Sequence, residues 1–229
     1  GYTLSLLMRN NLFPITIIDD FYPDPDSIVD FAKSQKYAPS PTGAWPGVRS
    51  ESLQEINSNM YDYFCKTLFS TFYNLGEGLS WHLESQFHTI EPRTKDKYDP
   101  KNCGWLHTDG VIFGGLVYLT KDPEEDTGTD MFLPNKGHLD GNRDMWDVKR
   151  KEFTGQKVSD EEYLKGRNEL FSNYTRSVKI ENVYNRCILF GGNVHHAAET
   201  FGSKNRLTQV FFCYGVQAKS GYPNLRIGL

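Results

Sequence analysis

The chain has 229 residues, 38% hydrophobic and 24% charged, with a formal net charge of −4. That is the balance of a globular domain large enough to bury a core without disulfide staples, and it excludes a disordered chain. The acidic balance argues against a nucleic-acid partner; "DVKRKEF" (147–153) is the one candidate basic patch.

The opening "GYTLSLLMRNNLFPI" lacks the charged start and the length of a signal peptide, and no apolar run spans a membrane. Met8 is read as the natural start, residues 1–7 as a tag remnant, and 8–229 as a single domain. "ITIID" (15–19) reads as a strand. In "DPDSIVDFAKSQ", Asp24 is an N-cap and Pro25 the first residue of a helix. "SPTGAWPGVRSE" (40–51) is a loop by its proline and glycine content. Residues 53–75 repeat apolar side chains at helical spacing and predict a second helix. From Leu79 the pattern shifts to strands: 79–92, one or two within 105–123, and 127–134. Residues 137–176 are polar and weakly helical, with Ser159 and Glu162 as a capping pair, and are expected as an insertion beside a site. "YNRCILFGG", "HHAAETFG" and "RLTQVFFCYGV" close the chain as strands. Helices followed by many short strands, with 14% aromatic residues, imply an all-β core with flanking helices, of jelly-roll type.

Four cysteines, Cys65, Cys103, Cys187 and Cys213, stand apart without a CxxC pair. They argue against thiolate zinc and for free thiols in a reducing cytoplasm.

The chemistry concentrates in two places. "WLHTDGV" (105–111) puts His107 and Asp109 two apart, so on a strand they would share a face. Gly110 is expected to spare that face a side chain. In "NRCILFGGNVHHAAETFGSKNRLTQVFF" a strand and turn lead to His195 and His196, of which only one can face the same point. One imidazole there would complete a His/Asp/His set that suits non-haem iron with open positions. Arg206 and Thr208 again share a face inside an apolar strand. A guanidinium there needs a carboxylate, from a ligand or from one of the protein's own acids.

HxD, a distal histidine after "LFGG", and R-x-T ten residues later (206 − 196 = 10) resemble the Fe(II)/2-oxoglutarate-dependent dioxygenases. The prolyl-4-hydroxylase-like group is the most similar branch. "PITIIDDFYPDPDSIVDFA" and "PGVRS" resemble an uncharacterised bacterial and phage branch. The resemblance implies a double-stranded β-helix and a hydroxylase using Fe(II), 2-oxoglutarate and dioxygen. It implies His107, Asp109 and His196 as iron ligands, with His196 preferred to His195. Arg206 and Thr208, with Tyr118, would bind 2-oxoglutarate. An amino-acid side chain, free or in a protein, is the expected substrate. A nucleobase or other small metabolite, or a non-catalytic jelly-roll binding module, stay open. Arg49, Trp105, Trp146 and Arg167 are the candidate substrate contacts, against plain packing or surface charge.

Overall fold

The computed structural model describes residues 13–136 and 144–218. The readings of residues 1–7 and of Met8 lie outside these. Two antiparallel sheets face each other. The large one has the order β1-β8-β5-β10-β4-β3-β2, and the small one β7-β6-β9. The large sheet comprises β1 (Thr16–Ile18), β2 (Tyr37–Pro39), β3 (Val48–Ser50), β4 (Ser80–Ile90), β5 (Phe113–Tyr118), β8 (Cys187–Gly191) and β10 (Arg206–Gln217). The small sheet comprises β6 (Thr129–Pro134), β7 (Tyr174–Ile180) and β9 (His195–Ala198). This is the jelly-roll core expected from the sequence.

The alternation of β4, β5 and β10 decides what each face of the large sheet does. Leu83, Phe87, Phe113, Val117, Leu207, Phe211 and Cys213 point outward into the main core. Their neighbours Gln86, His88, Leu116, Arg206, Thr208, Val210 and Phe212 point inward and line a cavity between the sheets.

Helices α1 (Pro25–Lys33), α2 (Leu53–Ile56) and α3 (Ser58–Phe69) cover the outer face. Asp24 caps α1 by accepting from the Ser27 amide, with Pro25 at the first position as expected. The single helix expected over 53–75 is instead broken at Asn57. Its backbone is extended (φ −159°), and its side chain accepts from the Met60 amide to start α3 afresh. Asparagine competes for backbone hydrogen bonds and favours a cap over a helix interior.

Two further differences matter to the site. Val48–Ser50, read as loop, is a strand paired with β4. The polar segment contains helices α4 (Asp144–Phe153) and α5 (Asp160–Ser172), the latter capped by Ser159, and its end enters strand β7. No helix among the described residues is long and apolar enough to cross a membrane.

Candidate metal centre

"WLHTDGV" is not a strand. It makes one antiparallel bridge, His107 to His196, beside β9. The His107 amide donates to the His196 carbonyl (3.1 Å) and the His196 amide to the His107 carbonyl (3.0 Å). Directly opposed residues project to one face, so the rings lie 4.3 Å apart, centroid to centroid. The amides of Asp109 and Gly110 both donate to the Gly192 carbonyl (3.1 and 3.3 Å), which fixes the turn. His195 points elsewhere, with Nε2 3.2 Å from the Tyr174 hydroxyl. His196 is therefore the one that meets Asp109.

Gly110 has a reason other than the expected one. A Cβ there would meet nothing within 4 Å, but φ is +65°. The constraint is conformational, and crowding plays no part. The glycine that does spare the site is Gly114, where a Cβ would sit 3.2 Å from Asp109 Oδ2 and 3.2 Å from the Phe211 carbonyl oxygen. Gly114→Ala should therefore displace the carboxylate and weaken metal binding roughly tenfold, as do disturbed partners of metal ligands. Gly110→Ala should lower stability by about 1–2 kcal/mol and leave metal affinity essentially unchanged. Metal titration and thermal melts of the two variants check the contrast.

The tautomers follow from the backbone. His107 Nδ1 lies 2.7 Å from the Trp105 carbonyl oxygen and His196 Nδ1 2.9 Å from that of Val194. A carbonyl only accepts, so each ring carries its proton on Nδ1 and presents a bare Nε2 lone pair. Both Nε2 atoms face Asp109, at 3.4 Å from Oδ1 and 3.5 Å from Oδ2. One ligand atom from each of the three residues falls within 4.8 Å of the others. Burial holds the His196 imidazole down to about 4, so it is neutral. Burial also opposes the charge of Asp109, while the positive charge of Arg49 favours it. Three acceptors thus converge with no proton between them, a set that a cation would satisfy.

Burial also drives His88 well below the ordinary histidine range. The unfolded chain binds these protons more readily than the folded one, so stability rises with pH in this window. The contribution of His196 is whole above about 6.5, its ordinary value, and is lost as pH falls towards about 4. Melting temperature against pH should show that decline, and metal affinity should fall with it because protons compete for Nε2.

The cavity beside this cluster has a volume of about 570 Å³. Arg206 lies on its wall, 5% exposed. Nε donates to the Thr127 carbonyl (3.2 Å), while Nη2 and the neighbouring Thr208 Oγ1 have no partner among the described residues. No ion pair to one of the protein's own acids accounts for this arginine among the described residues. Tyr118 sits beneath it, ring centroid 5.6 Å from Cζ, fully buried. Its hydroxyl is shared with Thr129 Oγ1 at 2.6 Å, and Thr129 rather than Tyr118 reaches the cavity.

Of the candidate substrate contacts, Arg49 and Trp105 line the cavity. Trp105 is packed edge-on against Tyr163 (5.5 Å), and its carbonyl orients His107. Arg167 does not line the cavity; it lies over Phe171 (4.1 Å) and reaches the Gly104 carbonyl (3.4 Å). The Trp146 side chain lies outside the described residues. The sequence reading missed Trp45, His88, Lys149 and Phe212, all in the lining. The inward period of β4 and β10 could have found His88 and Phe212. Lys149 belongs to the stretch read as a basic patch, yet is 3% exposed, and burial pulls its ammonium down to about 8.

A model of a family of unknown function (DUF6445) matches residues 5–208. The chain belongs to that family. No curated protein matches it. Among solved structures, HygX from Streptomyces hygroscopicus, with nickel and 2-oxoglutarate bound, is similar at TM-score 0.56 and 12% identity, over 95% of this chain and 87% of that one. A prolyl hydroxylase from Trichoplax adhaerens, in complex with a hypoxia-inducible-factor peptide fragment, is similar at TM-score 0.51 and 10% identity, over 93% of each chain. A 2OG-Fe(II) oxygenase family oxidoreductase from Burkholderia pseudomallei gives TM-score 0.51 at 10% identity, over 93% and 88%. At such identities the likeness is one of fold: this member of the family has the double-stranded β-helix of the 2-oxoglutarate oxygenases.

Proposed function

We propose that this protein is an Fe(II)- and 2-oxoglutarate-dependent oxygenase. One observation carries the reading. A single cavity holds both the three converging acceptors of His107, Asp109 and His196 and the unpartnered donors of Arg206 and Thr208. A facial set of two imidazoles and a carboxylate suits Fe(II) and leaves open positions. A buried guanidinium fork beside a hydroxyl suits a carboxylate, and 2-oxoglutarate has one at each end. A purely structural metal site would need no such anchor. HygX, in the same fold, binds nickel and 2-oxoglutarate.

In this reading His107 and His196 offer Nε2 and Asp109 its carboxylate. The carbonyls of Trp105 and Val194 lock the rings in the tautomer that binds metal. Arg206 and Thr208 hold the distal carboxylate, with Tyr118 and Thr129 supporting the arginine from below. The iron, when bound, supplies the oxidation that 2-oxoglutarate and dioxygen drive, releasing succinate and carbon dioxide. The apolar walls, Val210 and Phe212 among them, keep water from the reacting centre.

The reaction proposed is hydroxylation of an amino-acid side chain, free or in a peptide. A small metabolite is the second reading, favoured by the complex of HygX with hygromycin B in this fold. Anaerobic addition of Fe(II) and 2-oxoglutarate should give a weak visible charge-transfer band, and air should then yield succinate. No band and no succinate would overturn the proposal.

A further inference from the structure

The cavity holds more unsatisfied donors than the cosubstrate would use. Four buried side-chain atoms in its lining lack a partner among the described residues: Arg206 Nη2, Thr208 Oγ1, Arg49 Nε and Trp45 Nε1. The first two belong to the anchor already described. The other two form a separate group at the metal end. The Arg49 guanidinium lies over the Trp45 ring (4.1 Å) and 5.4 Å from the Phe212 ring. It senses the charge of Asp109, as Lys149 does.

Among the described residues Arg49 has no acid of its own. It makes no ion pair and no side-chain hydrogen bond among the described residues. Among the described residues the cavity lining offers two carboxylates, Asp109 and Glu84. Neither pairs with Arg49 among the described residues: Asp109 faces the two Nε2 atoms, and Glu84 lies beside Tyr214. Arg49, Lys149 and Arg206 are the cations of the described lining. A half-buried guanidinium without an anion is unfavourable, and its fork of donors matches a planar oxyanion.

We propose that Arg49, with Trp45 Nε1 beside it and Lys149 adding positive charge, clamps a carboxylate of the substrate, and that the substrate is a small carboxylic acid. This rests on the oxygenase reading and names the substrate class for it. The enclosed volume of about 570 Å³ falls in the small-molecule range and has to hold the cosubstrate as well. Phe212, Val210 and Phe153 add apolar lining for the body of the acid.

The test is the melting temperature of the full chain, with and without anaerobic Fe(II) and 2-oxoglutarate. The probes are the twenty free L-amino acids, their carboxamides, and the same residues at the C-terminus of an acetylated tripeptide. At least one free acid should raise the melting temperature and its carboxamide should not. Arg49→Gln should weaken that acid about 100-fold, Arg49→Lys less, and both should keep the wild-type dependence of the charge-transfer band on 2-oxoglutarate. Trp45→Phe, which removes only the indole N–H, should weaken the acid and leave the fold intact, so the clamp stays testable if Arg49→Gln does not fold. The proposal is overturned if no free acid raises the melting temperature or if the carboxamides act equally well. It is also overturned if only the tripeptides bind, or if Arg49→Gln weakens 2-oxoglutarate as much as the acid. A missing charge-transfer band in the wild type would overturn the oxygenase reading alone, since the melting shift is read without iron as well.

Discussion

Asp109→Asn is expected to lower iron affinity by more than about 100-fold while leaving the metal-free protein at least as stable as the wild type. The first effect follows from losing the one anionic ligand of the set. The second follows from the tautomers. In the wild type, Asp109 presents only acceptors to two bare Nε2 atoms at 3.4 and 3.5 Å. An asparagine amide would donate to one of them, turning a repulsive pair into a hydrogen bond of about 1 kcal/mol. Such a split, with function lost and stability kept, marks a residue held in place for chemistry. Calorimetric titration with Fe(II) under anaerobic conditions, beside thermal melts of the metal-free proteins, measures both. Undiminished iron binding in the variant would remove Asp109 from the metal site. His195→Ala serves as the control, because His195 faces Tyr174 and should leave iron binding unchanged.

Arg206→Met should weaken 2-oxoglutarate by about 100-fold or more, the range for truncating one partner of a buried charged pair. The metal-free fold should again hold or gain stability. Arg206 carries a buried charge; among the described residues its Nη2 has no partner, and its one side-chain hydrogen bond runs from Nε to the Thr127 carbonyl at 3.2 Å. An unbranched apolar side chain of similar length removes that desolvation penalty. Titration of 2-oxoglutarate against the charge-transfer band gives the affinity, and denaturant unfolding gives the stability. If affinity is unchanged, the carboxylate anchor lies elsewhere in the cavity.

What could be read from the sequence was whatever repeats with the period of its element. The R-x-T pair lies on a true strand, β10, and its spacing gave the inward face directly. The pair His107 and Asp109 was found for a reason that does not hold in the fold. The stretch is a turn held by one bridge, and the two side chains meet through cross-strand pairing with His196 and the left-handed turn at Gly110. Choosing between His195 and His196 needed the partner strand, which no local pattern contains. Strand β3 escaped because three residues inside a proline- and glycine-rich stretch carry no periodicity. Strand β7 escaped because its middle five positions are all exposed. Lys149 appeared only within a candidate basic patch, because lysine is nearly always exposed. Only the packing of α4 against the cavity shows otherwise.

The mutual amide–carbonyl pair of His107 and His196 has a kinetic side. His196 stays on β9, which also pairs with β6, so it is the His107 segment that has to let go for the two imidazoles to part. The two amides should exchange with solvent deuterium together, as one opening unit. Iron loss would have to wait for that same opening, so off-rates and amide exchange should share a temperature dependence. A bridge of two residues, joining segments far apart in the chain, would then act as the latch that sets how long a captured metal stays.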